Sequence, residues 1–141
     1  GSLPAIYDSD EPWQDLKAYS GTYLKEEIAA EGAARRLDAF SRSLHSAALY
    51  SGKQVNFEAW SSDAAVPART VREYFSVLSD TLIGEMLEPW KGGKKRKPAS
   101  TGKCYFFDIG VRNALAGIQS IAPGTDEYGN AFEHFIYEEL L

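Results

Sequence analysis

The stretch NFEAWSSDAAVPARTVREYFSVL, Asn56–Leu78, reads as two helices joined by a tight turn. Asn56 is a residue type that accepts hydrogen bonds from the first free amides of a helix, here one running to Asp63. Ala64–Val66 then supplies a turn, and Pro67, whose fixed φ suits a first helical turn, starts a second helix to about Leu78. Val71, Phe75 and Leu78 fall on one face of that helix. Two helices separated by three or four residues make a helix-turn-helix. Arg69, Thr70 and Arg72 lie near the start of its second member, where side chains meet base edges if such a helix enters a major groove.

Upstream, Leu37, Phe40, Leu44 and Ala48 recur at helical spacing within Ala33–Tyr50, and Gly52 stands just beyond as a stop. An earlier helix is expected over Pro12–Glu31, from Leu16, Tyr19, Tyr23 and Ile28, with Gly21 as its weak point. Downstream, Ile83–Trp90 and Lys103–Ile109 read as strands, the second carrying the aromatic run Tyr105-Phe106-Phe107. The polar, glycine-containing segment between them reads as a long hairpin loop. Three helices followed by a hairpin predict a winged helix: mainly α with a small β-hairpin, an α+β class. Its core is expected to contain Leu37, Phe40, Leu44, Val71, Phe75, Leu78, Tyr105 and Phe107.

Charge is distributed unevenly. The whole chain of 141 residues carries a formal net charge of −5, yet Lys91, Lys94, Lys95, Arg96, Lys97 and Lys103 fall within one loop that holds no acidic residue. Such a cationic hairpin tip suits backbone phosphates, whose condensed counterions it would release. These six residues, with Arg69, Thr70 and Arg72, are the candidate nucleic-acid-binding set. No apolar stretch is long enough to span a bilayer, and one cysteine, Cys104, excludes an internal disulfide, so a cytoplasmic setting is expected. Cys104 lies within an aromatic strand, where a thiol is buried and inert.

Beyond the hairpin, Asp108 is placed to cap a short helix over Val111–Leu115. A loop through Pro123 and Gly124 leads to a last helix, Asn130–Leu141, with Gly129 before it and with Phe132, Phe135, Ile136 and Leu140 on one side. No stop signal follows, so that helix is expected to belong to a longer element. His45 and His134 have no cysteine or histidine at ligand spacing, which argues against zinc. No Gly-x4-Gly-Lys-Ser/Thr pattern for nucleotide phosphates is present.

Four stretches, Thr22–Ile28, Thr70–Phe75, Lys103–Gly110 and Tyr128–Ile136, together resemble the C-terminal region of prokaryotic AAA-superfamily predicted ATPases, a region catalogued as a domain of unknown function. The resemblance implies an ATPase domain as partner, with ATP and magnesium belonging to that parent and no cofactor in this portion. It also implies residues 1–32 as linker and N-terminal helix, 33–109 as a winged-helix domain, and 110–141 as the start of a region similar to the PD-(D/E)XK nuclease fold. Glu133 would then match the first-helix carboxylate of such nucleases, without the later acids that complete a metal site. Two functions are therefore expected in competition: a non-catalytic module coupling the ATPase to a nucleic-acid or protein target, or a partial nuclease effector. A free-standing transcription regulator is a third.

Overall fold

The computed structural model describes residues 1–30, 36–91 and 101–141. A first turn of helix, α1 (Pro4–Tyr7), leads into α2 (Pro12–Ala18), a π-turn (Tyr19–Tyr23) and α3 (Leu24–Ala30), which form one continuous rod. The helix expected from Pro12 is thus present, and its glycine falls in the widened turn, where a bare backbone is least out of place.

Helix α4 (Leu37–Tyr50) is the central element and buries Phe40, Leu44 and the small residues Ala39, Ala47 and Ala48. Arg36 just before it is extended, so the helix begins after it; residues 33–35 of the expected start lie outside the described residues. Leu37 is 43% exposed, a correction to the expected core. The buried stripe of α4 runs through alanines, which let neighbouring helices approach closely, and Leu37 sits at the first position, before that stripe begins.

The turn between α5 (Phe57–Ala64) and α6 (Ala68–Asp80) forms as the side chains dictate. The Asn56 side chain accepts from the Ala59 amide at 3.0 Å, and Ser61 Oγ donates to the Val66 carbonyl at 2.6 Å across the turn. Ala65 adopts a left-handed conformation, φ 51°, to reverse the chain. Helix α6 buries Val71, Tyr74 and Leu78, while Phe75 is half-buried against the rings of Phe57 and Trp60. Tyr74 meets Phe40 edge-on at 5.2 Å.

Strands β1 (Gly84–Leu87) and β2 (Lys103–Phe106) pair antiparallel, with Gly84 opposite Phe106 and Leu87 opposite Lys103. The expected strands are longer; β1 stops at Leu87, and Trp90 is 80% exposed beyond it. A third extended segment flanks β2 on its other edge. There the Gly52 amide donates to the Cys104 carbonyl and the Val55 amide to the Gly102 carbonyl, with Gln54 bridged to Lys103. Gly102 must be glycine, because a Cβ would stand 2.6 Å from the Leu87 carbonyl oxygen.

Strand β2 buries consecutive residues, Cys104, Tyr105 and Phe106, because helices cover both of its faces. One face joins the main core. The other lies under α8 (Asp126–Leu140), whose Tyr137 stacks on Tyr105 with ring centres 4.3 Å apart. Phe107 is 37% exposed, against expectation, because the strand ends at Phe106 and the chain turns into the cap of α7 (Ile109–Ala116). Asp108 caps α7 as expected, accepting from the Val111 amide at 2.8 Å. Helix α8 begins four residues before the expected Asn130: Thr125 accepts from the Tyr128 amide, and Asp126 and Glu127 favour the first turn through their charge, so Gly129 lies inside the helix.

Candidate nucleic-acid interface

Four of the predicted contacts, Lys94, Lys95, Arg96 and Lys97, lie outside the described residues. The remaining five are placed at the edges of the hairpin and on α6. Lys91 is exposed just after β1. Lys103 opens β2 at the foot of the loop and is half-buried, its ammonium bonded to the Glu133 carboxylate of α8. The same carboxylate accepts a hydrogen bond from the Tyr105 hydroxyl.

Burial opposes ionisation of Glu133, but the bonds from Lys103 and Tyr105, and the lysine's charge, hold it below the usual carboxylate range. Burial, followed by the bond to Glu133, pushes the Tyr105 phenol up. Glu133 is therefore an ionised anchor between β2 and α8. Among the described residues no cluster of three or more His, Cys, Asp and Glu could hold a metal ion.

On α6, Arg69 and Arg72 project into solvent and Thr70 is half-buried. Both arginines are paired: Arg69 Nε with Glu73 at 3.4 Å, Arg72 Nη2 with Glu58 of α5 at 3.3 Å. Arg72 also lies over the Phe57 ring at 5.3 Å. Exposed pairs of this kind contribute about 0–1 kcal/mol, so a phosphate can displace the glutamates, but the helix presents little net positive charge. The cations on α6 and those of the hairpin loop belong to consecutive elements, α6 and β1–β2, yet only the loop's lack acidic neighbours in sequence.

The mounting of α8 was not read from the sequence. Arg112 of α7 is 2% exposed; its Nε donates to the Ala48 carbonyl at 2.9 Å and its Nη1 to Asn113 and to Glu127 of α8, the latter at 3.0 Å. Its Nη2 is buried without a partner among the described residues. His134 Nε2 lies 2.7 Å from the Phe106 carbonyl, which can only accept, so that nitrogen carries a proton. Glu138 Oε1 lies 3.1 Å from the same nitrogen but makes no directed hydrogen bond; the carbonyl bond takes the proton. Tyr137 donates to Glu85 at 3.0 Å, and burial with that bond pushes its phenol up to about 12. His45 and His134 each bond a backbone carbonyl, of Leu115 and Phe106 respectively.

The signal for Arg112 was an arginine among apolar residues on a short helix, Ile109-Gly110-Val111-Arg112, a pattern that requires the charge to find a partner. By contrast the apolar residues of α8, Phe132, Phe135, Ile136 and Leu140, do share a side, but that side is exposed. Among the described residues no helix is long and apolar enough to cross a membrane.

No curated protein and no solved structure matches the chain. One family does: its match begins at the first residue, takes in the three central helices, the hairpin and α7, and ends before α8. The chain belongs to the family described as a domain of unknown function, DUF8612, whose model matches residues 1–122.

Proposed function

We propose that residues 37–106 form a non-catalytic winged-helix module that couples a AAA-type ATPase domain to its target in the cytoplasm, with duplex nucleic acid held by the Lys91–Lys103 loop. The element order carries this reading: α4, α5 and α6, then β1 and β2, with the segment after α4 hydrogen-bonded along β2 as the third strand of the wing. Supporting it, the loop between β1 and β2 concentrates five basic residues, Lys91, Lys94, Lys95, Arg96 and Lys97, on an acidic chain, with Lys103 opening β2 beside them. ATP and magnesium belong to the ATPase domain, whose parentage rests on the sequence resemblance.

A wing tip that neutralises about four phosphates would bind with a slope near −3.6 for the logarithm of affinity against the logarithm of salt, with little dependence on base sequence. Fluorescence anisotropy with duplex DNA at several salt concentrations measures this. Lys94, Lys95, Arg96 and Lys97 changed together to glutamate should abolish binding without altering the melting temperature. The pairing of Arg69 and Arg72 with glutamates favours a second reading, in which α6 contacts a protein. Absence of DNA binding at low salt, or binding indifferent to the reversal, would leave that reading standing instead.

A further inference from the structure

An open groove of about 600 Å³, built by α2, the π-turn and the start of α3 together with α4, the end of α5 and the end of α7, gathers basic side chains away from the hairpin. Lys17, Lys25, Arg42 and His45 line it, against a single lining carboxylate among the described residues, Asp63, which is engaged by the Tyr50 hydroxyl at 2.7 Å. Lys17 and Lys25 make no ion pair among the described residues. Arg42 is fixed in place, its Nε donating to the Ala64 carbonyl at 2.9 Å and its Nη1 to Asp38 at 3.3 Å. His45 Nδ1 is committed to the Leu115 carbonyl at 2.7 Å, which leaves Nε2 as the ring's remaining hydrogen-bonding atom.

A second observation concerns Ser20, which lines the same groove from within the π-turn. It is 2% exposed and its hydroxyl has no hydrogen-bond partner among the described residues. Buried hydroxyls are nearly always paired, because an unpaired one forfeits its bond to water. π-turns are rare and recur at functional sites, where they re-aim side chains.

We propose that this groove binds the phosphate of a small phosphomonoester, with Lys17, Lys25 and Arg42 balancing its charge and Ser20 donating a hydrogen bond to it. A phosphomonoester carries about −1.5 to −2 charges and three acceptor oxygens, which matches several cations and neutral donors better than one carboxylate does. The size of the groove is that of a small-ligand site rather than a polymer track. The inference is independent of the hairpin reading, since none of these residues belongs to it.

Calorimetry and amide chemical-shift mapping on the whole chain test it with inorganic phosphate, adenosine 5′-monophosphate and adenosine as probes. Both phosphates should bind with a Kd on the order of 1 mM or tighter, while adenosine should not. The double variant Lys17→Glu/Lys25→Glu should weaken binding by about tenfold or more, and Ser20→Ala by about threefold. Ser20→Ala removes an unpaired buried hydroxyl, so it should not lower the melting temperature, and its loss of binding cannot come from unfolding. Lys53→Glu, outside the groove, should leave affinity unchanged. The proposal is overturned by no response to either phosphate at about 10 mM, by equal binding of adenosine, or by Lys53→Glu weakening binding as much as the double variant. Duplex DNA binding that is lost in the double variant while phosphomonoesters fail to bind would also overturn it and extend the nucleic-acid interface instead.

Discussion

Replacing Arg112 by methionine and, separately, by alanine should divide the charge of that side chain from its bulk. The guanidinium joins three helices, through the Ala48 carbonyl of α4, its own neighbour Asn113 on α7, and Glu127 of α8. Its loss strands none of them. The Ala48 carbonyl still accepts from the Ser51 amide at 3.3 Å, and the Glu127 side chain is 38% exposed and can rehydrate. Three hydrogen bonds at a net of about 1 kcal/mol each are given up. Against this, methionine removes a desolvated cation and an unpaired Nη2, and replacement of buried ion pairs by apolar residues is often neutral or stabilising by about 1–4 kcal/mol. Arg112→Met should therefore stay within about 1 kcal/mol of the parent. Arg112→Ala also deletes the aliphatic stem and opens a cavity, and should cost about 2–4 kcal/mol. Urea unfolding followed by tryptophan fluorescence measures both, provided the slopes agree. A methionine variant as unstable as the alanine variant would refute the reasoning and show that the charge itself holds the three helices together.

Phe40→Ala, at a fully buried ring in edge contact with Tyr74, should cost about 3–5 kcal/mol, whereas Leu37→Ala should cost less than about 1 kcal/mol in the same assay. Glu133 has a folded pKa below its unfolded value, so its contribution to the docking of α8 is present above the unfolded pKa of about 4.3 and lost as pH falls through the folded one. The melting-temperature gap between the parent and Glu133→Gln should accordingly be open at neutral pH and close under strong acid; a gap independent of pH would contradict it. Burial pushes the Cys104 thiol up to about 12. A disulfide reagent at mildly alkaline pH should modify it only as fast as the chain unfolds, and rapid labelling of the folded protein would disprove that placement.

Local signals in the sequence were legible where a single side chain decides the backbone. Asn56 and Asp108 cap the helices they precede, and the turn before Pro67 separates two helices at the expected place. Signals failed where partners distant in sequence decide burial. An aromatic run such as Tyr105-Phe106-Phe107 does not say which faces of a strand are covered, and here the answer depended on α8 arriving over Tyr105. The stripe of α4 was misjudged at Leu37 because five of its seven buried residues are small, three alanines and two serines, which are weak markers of a core. Glycine misled at Gly129, where the Thr125 cap outweighs the cost of a glycine in a helix, about 1 kcal/mol. For the candidate interface, the basic loop was visible as composition, but the glutamates that pair with Arg69 and Arg72 on the folded surface were not weighed: Glu73 is one helical turn from Arg69, and Glu58 lies on another helix.

The π-turn between α2 and α3 has a consequence for how relatives of this chain can differ in length. A π-turn holds about one residue more than an α-helical turn, and each residue advances a helix by about 100°. Deleting Gly21, whose position has open space around it, would turn the π-turn into an ordinary α-helical turn, so Leu24 and Ile28 would keep their angular position and still enter the core. A descendant one residue shorter at this point can keep the same apolar residues throughout α3, whereas a residue lost from the regular part of the rod would turn everything beyond it by about 100°. The phase of the apolar pattern, more than the identity of any residue in it, is what inheritance has to preserve here.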